Sequence, residues 1–227
     1  MIESTPHWFE QHFGCRVRDE DLLRLALSHR SVGDRNNERL EFYGDALLGC
    51  YISEELYHRF PKADEGQLSR LRVSLVKGAT LAEIAREISI GSHLVLGSGE
   101  KHGGGRQRDS ILADTLEALF GAIAIDRGRE ACRDAVLRVF AQRLAGLDLS
   151  QATKDPKTQL QEYLQARGRP LPVYELVETR GADHEREFTV SCSLSDQAIA
   201  FQGVASSRRS AEQAAAGRLF AALEGAA

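Results

Sequence analysis

The stretch Asn37-Glu38-Arg39-Leu40-Glu41-Phe42-Tyr43-Gly44-Asp45-Ala46-Leu47 puts carboxylates where a chain can least easily leave them. It opens a proline-free run from Asn37 to Phe60 whose pattern predicts a helix. Asn37 suits the N-cap, and Glu38 suits a first turn. Glu38, Glu41 and Asp45 stand at i, i+3 and i+7, so at about 100° per residue they share one face roughly 60° wide. Most of the other positions are apolar: Leu40, Phe42, Tyr43, Ala46, Leu47, Leu48, Cys50, Tyr51 and Ile52. A helix apolar on most sides is a buried helix. Carboxylates on it are costly unless cations or donors meet them.

A second stretch, Ser110 to Phe120, predicts another apolar helix, with Asp114 and Glu117 at i, i+3. Packed face to face, the two helices would gather Glu41, Asp45, Asp114 and Glu117. That donor set is all oxygen, with no histidine or cysteine, and suits Mg²⁺ or Mn²⁺ rather than Zn²⁺. Without a cation the like charges would repel and some would take up protons. Carboxylates at this spacing also line solvated faces or cap helices, and the pattern by itself leaves both readings open.

The rest of the composition sets limits. At 227 residues the chain holds one or two domains, and 42% hydrophobic residues supply a real core. No apolar run is long enough to span a membrane. The first residues lack the basic-then-apolar pattern of a secretory signal. Cys15, Cys50, Cys132 and Cys192 are scattered, form no Cys-x-x-Cys pair, and read as reduced thiols of a cytoplasmic protein. The net charge of −4 argues mildly against a nucleic-acid partner, although the carboxylate cluster contributes to that sum.

Along the chain, Thr5 to Leu27 has helical periodicity, with Asp19 as a cap for the second helix. His29 in Leu27-Ser28-His29-Arg30-Ser31 could act as a base; a structural role satisfied by neighbours is preferred. Asp64 and Glu65 open a further helix as cap and dipole complement. Gly97 to Arg108 is glycine-rich and basic but lacks the closing residues of a P-loop. It reads as a flexible connector, with Lys101, Arg106 and Arg108 available for phosphate. A last helix is expected over Arg129 to Leu144. Everything to that point is all-α, giving a first domain over residues 1–145. Residues 146–155 break the periodicity as a linker. Over 156–227 the grammar changes: a helix from Lys157 to Arg167, three β-like runs (Val173 to Thr179, Glu187 to Leu194, Ala198 to Ala205) and a helix from Ser207 to about Leu223 make a small α+β unit in the order αβββα.

Asn37 to Asp45 resembles the signature of the ribonuclease III family, which more often has an aliphatic residue where this chain has Tyr43. The resemblance extends through Phe60 to Gly66 and Ser110 to Ala118 into the C-terminal unit. That unit resembles a double-stranded-RNA-binding domain. What the resemblance implies is an all-α endonuclease domain followed by that module. Glu41, Asp45, Asp114 and Glu117 would hold Mg²⁺, for which Mn²⁺ can substitute, with Asp45 and Glu117 indispensable. Glu38 and Glu65 would be accessory acidic residues. Thr158, Gln161 and Glu162 would face one minor groove, and His184 would lie in the loop entering a second. Ser207, Arg208 and Arg209 would grip phosphates between them. A module of this kind reads shape and 2′-hydroxyls rather than sequence. The implied activity is metal-dependent cleavage of double-stranded RNA to 5′-phosphate and 3′-hydroxyl ends, in processing of ribosomal and other structured RNA precursors. The implied assembly is a homodimer with Phe42 at the interface, with no membrane and no small-molecule cofactor. The alternative is a non-catalytic double-stranded-RNA-binding protein that retains the fold. Residues 156–227 carry eight Lys/Arg against nine Asp/Glu, so RNA binding would depend on a one-sided patch and be salt-sensitive.

Overall fold

The computed structural model describes residues 4–149, 155–181 and 186–225. The chain forms two compact units, residues 1–152 and 153–227. Within the proposed linker, residues 150–154 lie outside the described residues.

The described part of the first unit is helical: α1 (Thr5–Phe13), α2 (Glu20–Ala26), α3 (Glu38–Arg59), α4 (Glu65–Val76), α5 (Gly78–Glu87), α6 (Ile90–His93), α7 (Ser98–His102), α8 (Asp109–Arg127), α9 (Arg129–Val139) and α10 (Ala141–Ala145). Its only extended pairing among the described residues is a single bridge between Ser28 and Val95. Side chains stop and start the helices as the sequence suggests. Asp19 accepts from the Leu22 N–H, and Asp64 forms a reciprocal capping box with Gln67. The helix expected over Arg129 to Leu144 is broken at Phe140 (φ −90°, ψ 1°), a fully buried residue whose ring packs near Phe120.

The centre of this unit is the pair α3 and α8. Helix α8 is buried on nearly every side: Ile111, Leu112, Leu116, Leu119, Phe120 and Ile123 are all at most 3% exposed. Full burial of each such side chain favours folding by about 1.5–3 kcal/mol before entropy is counted. The two helices cross with almost no space between them. A Cβ at Gly44 would stand 1.8 Å from the Glu117 carbonyl oxygen, and one at Gly121 would stand 2.3 Å from the Leu40 carbonyl oxygen. Only glycine permits that approach, because the obstructing atoms are backbone.

The second unit comprises α11 (Pro156–Gln165), β1 (Val173–Arg180), β2 (Glu187–Leu194), β3 (Gln197–Ala205) and α12 (Arg208–Glu224). The strands form one antiparallel sheet in the order β1-β2-β3. Alternation along β2 turns Val190, Cys192 and Leu194 inward, while Phe188 is half-buried. Leu160 and Leu164 of α11 and Ala215, Ala216 and Leu219 of α12 complete the core. Gly203 on β3 lets the sheet meet α12 closely, since a Cβ there would lie 2.2 Å from the Ala211 carbonyl oxygen.

All four cysteines are unbonded, with Cys50 exposed and Cys132 and Cys192 buried. No helix among the described residues is long and apolar enough to cross a membrane.

Candidate active site and RNA-facing surface

The crossing of α3 and α8 assembles the carboxylates. Gly44 rests on the backbone of Glu117, so Glu41 and Asp45, on the first turns of α3, flank that crossing. Asp114 lies one turn earlier on α8. Glu41, Asp114 and Glu117 each present a carboxylate oxygen, and the three oxygens lie within 4.8 Å of one another. All three residues are half-buried. Asp45 is more exposed and stands outside that tight group. Its charge nevertheless reaches Glu117 and Glu41.

The electrostatics follow from burial and crowding. Burial first, then the charges of Asp45, Asp114 and Glu41, push the Glu117 carboxyl up to about 8. Glu41 is raised by burial and by Asp114 and Glu38; Asp114 is raised by burial, against the opposing pull of His29 and Arg30. Among the described residues no cationic side chain pairs directly with these three; Arg30 pairs with Glu38 instead, at 3.6 Å. Three convergent oxygens in need of positive charge fit a hard divalent cation.

A cleft of about 370 Å³ opens in front of Glu41 and Asp114, bordered also by His29, Asn37, Glu100 and Arg108. Asn37 stands at the N-cap of α3 but does not cap it. Its backbone is already helical (φ −85°, ψ −8°), and its buried side chain donates to the Thr115 hydroxyl at 3.5 Å, tying α3 to α8. Asn36 takes over the capping contact, accepting from the Glu38 N–H at 3.1 Å. His29 accepts from the Ser31 N–H at 3.2 Å at the start of a short 3₁₀ turn.

The glycine-rich stretch is a folded wall of this cleft rather than a connector. It contains α7 and a 3₁₀ turn over Gly105–Gln107. The Arg108 guanidinium donates to Glu100 Oε1 at 2.9 Å, and Arg106 donates to the Gly91 carbonyl. Both arginines are thus engaged with protein groups, while Lys101 is exposed. Glu100 was not singled out by the sequence, because its place in the wall depends on a contact eight residues away. Glu65 lies on α4, exposed, accepting from the Ser69 hydroxyl at 2.8 Å, and is not part of the carboxylate group. Phe42 is 80% exposed, which excludes a core role within one chain.

In the second unit, Thr158, Gln161 and Glu162 share the exposed face of α11, opposite the buried Leu160 and Leu164. Ser207 caps α12, its hydroxyl accepting from the Ser210 N–H at 3.1 Å. Arg208 and Arg209 are exposed in the first turn of α12. The loop residues Ala182, Asp183 and His184 lie outside the described residues.

A carboxylate cluster where the buried α8 crosses the partly exposed α3, followed by an αβββα module with a basic helix start, defines a class: a helical nuclease domain joined to an RNA-binding module. Comparison with known proteins agrees. The ribonuclease-III-like family profile matches residues 19–144, and that of the double-stranded RNA binding motif matches residues 156–223. Ribonuclease 3 of Alkalilimnicola ehrlichii is 52% identical, over 95% of this chain and 94% of its own length. Ribonuclease 3 of Methylococcus capsulatus is 50% identical, over 98% and 96%. Among solved structures, the nuclease domain of ribonuclease III from Campylobacter jejuni superposes with a TM-score of 0.60 at 37% identity, covering 64% of this chain and all of that one. A second structure of that domain, with a TM-score of 0.58 at 40% identity, covers 60% of this chain and 95% of that one, and is described as flexible in a region involved in dimer formation. The chain belongs to the ribonuclease III family.

Proposed function

We propose that the chain cleaves double-stranded RNA by metal-dependent hydrolysis, leaving 5′-phosphate and 3′-hydroxyl ends, with Glu41, Asp45, Asp114 and Glu117 as its metal-binding residues. The observation that carries this reading is the approach of Glu41, Asp114 and Glu117 to within 4.8 Å across the α3–α8 crossing. Mg²⁺ is the expected ion, with Mn²⁺ as a substitute, because the donors are hard oxygens. A divalent cation held there by these carboxylates would supply Lewis-acid activation of water and charge stabilisation for the departing 3′-oxygen. The protein's own contribution is positional. The glycine crossing fixes Glu117 beside Glu41, and the Asn37–Thr115 contact holds the start of α3 against α8. The raised carboxyl of Glu117 would give up its proton to serve as a ligand to such a cation. Asp45, at the rim, and Glu38, paired with Arg30, shape the negative field at the cleft mouth.

The second unit supplies substrate affinity. Thr158, Gln161, Glu162 and His184 contact minor grooves, and Ser207, Arg208 and Arg209 contact the phosphates between them. Domain limits of 1–145 and 156–227 around a linker at 146–155 describe this division of labour. The exposed Phe42 shares a face of α3 with Ala46, Cys50 and Tyr57, all within about 80° of one another. An apolar face of this kind supports a homodimer in which each subunit cuts one strand. Glu65 is reserved for an accessory role in such an assembly. Cytoplasmic processing of ribosomal and other structured RNA precursors is the corresponding cellular role. A non-catalytic RNA-binding protein has no support in the site, where all four carboxylates are present.

The test is incubation of the protein with a long RNA duplex, with Mg²⁺ or with a chelator. Cleavage confined to the Mg²⁺ sample is expected. Its absence, or equal cleavage in chelator, would overturn the reading.

A further inference from the structure

A chain of charges in the second unit links the two helices that carry the RNA-facing residues. Lys157, in the first turn of α11, places its Nζ 2.7 Å from Glu212 Oε2, in the first turns of α12. The other carboxylate oxygen, Glu212 Oε1, accepts from Arg208 Nε at 3.1 Å, one helical turn earlier. The Glu212 side chain is only 16% exposed, against 60% for that of Arg208. The Lys157 Nζ also sits 4.2 Å from the centre of the Tyr174 ring on β1, which fixes the lysine from below. The lysine next to Thr158 is therefore connected through one carboxylate to the arginine at the start of α12.

The atom used on Arg208 matters. A guanidinium has five N–H donors in a planar fork. Binding Glu212 through Nε leaves the two terminal nitrogens, with four donors, outside that bond on a side chain that is 60% exposed. Two parallel donors of that kind match a phosphate. Glu212 lowers the local charge by one, so simple electrostatics would count it against RNA binding.

We propose that Glu212 is a positioning residue for RNA. It orients the Arg208 guanidinium through Nε for phosphate and, through Lys157, holds the start of α11 at a set distance from the start of α12. Resting on the reading of Arg208 as a phosphate contact, it adds the residue that aims it. The lowered carboxyl of Glu212, drawn down first by Lys157, keeps it charged throughout the neutral range.

The test is a double-mutant cycle on the full chain, in chelator, with an RNA duplex longer than the roughly 16 base pairs such a module spans. Binding is measured at several salt concentrations for wild type, Arg208→Ala, Glu212→Gln and the double variant. Arg208→Ala should bind more weakly, with a salt slope smaller by about one unit or somewhat less. Glu212→Gln, although it removes a negative charge, should lose on the order of tenfold in affinity. In the Arg208→Ala background it should lose much less, keeping only the share that comes from the Lys157 bridge. Arg208→Lys, an exposed and charge-conserving change that cannot offer the fork, should weaken binding as Glu212→Gln does. If Arg208→Ala weakens binding while Glu212→Gln matches or exceeds wild type, the positioning role is overturned and the phosphate contact stands. Equal losses from Glu212→Gln in both backgrounds would mark a purely structural role and overturn it too. Wild-type binding by Arg208→Lys would do the same. An Arg208→Ala variant with wild-type affinity and slope would remove the phosphate contact itself.

Discussion

Glu117 shows how a single carboxylate is set by its surroundings. It is held near two other carboxylates in a half-buried site, and its carboxyl is raised from an ordinary value near 4.5 to about 8. The metal-free folded chain therefore holds a proton there that the unfolded chain has already lost. Between about pH 4.5 and 8 the native state binds more protons, so stability falls as pH rises through that window. Thermal melts in chelator should show a falling melting temperature from pH 5 to pH 8. Glu117→Gln should flatten the profile, and a wild-type profile in that variant would show that another group is responsible. The same variant should cleave duplex RNA slower by orders of magnitude while still binding it, since the residues proposed to contact RNA lie in the other compact unit. Substantial cleavage by Glu117→Gln at saturating Mg²⁺ would remove Glu117 from the essential set.

At the scale of elements, the site exists because α3 and α8 can touch backbone to backbone. Gly44→Ala would gain helix propensity worth up to about 1 kcal/mol. It would also place a methyl group 1.8 Å from the Glu117 carbonyl oxygen, where no flexible side chain can yield. The helices must then separate, moving Glu117 relative to Glu41. Gly44→Ala should lower the melting temperature and abolish cleavage together, whereas Gly49→Ala, on the same helix with open space at its Cβ, should leave both near wild type. Parallel melts and cleavage assays check this; an active, stable Gly44→Ala variant would show that the crossing tolerates a side chain.

For the whole molecule, two features act beyond any one helix. One is the exposed apolar face of α3. Phe42→Ala should weaken dimerisation in sedimentation and reduce cleavage in parallel, and a fully active monomer would refute the paired-strand scheme. The other is charge. With a net charge of −4, long-range attraction to RNA is weak, so affinity is expected to rest on a local patch, proposed at the start of α12.

Periodicity and spacing are local properties, and they were enough to read the helical first unit, the αβββα order of the second, the caps at Asp19 and Asp64, and the pairing of two carboxylate-bearing helices. Which carboxylates converge most tightly was not local. Asp45 shares a helical face with Glu41, yet Asp114 joins Glu41 and Glu117 in the tight group, because the crossing point at Gly44 and Gly121 sets how far each reaches. The same holds for the inward turn of Asn37, the folding of the glycine-rich stretch into a wall through Glu100 and Arg108, and the bridge from Lys157 through Glu212 to Arg208. Each depends on side chains far apart in sequence, or on which way a helix faces after packing. A repeat of 3.6 residues specifies the face of a helix, but the partner that face meets is selected only when the whole core closes.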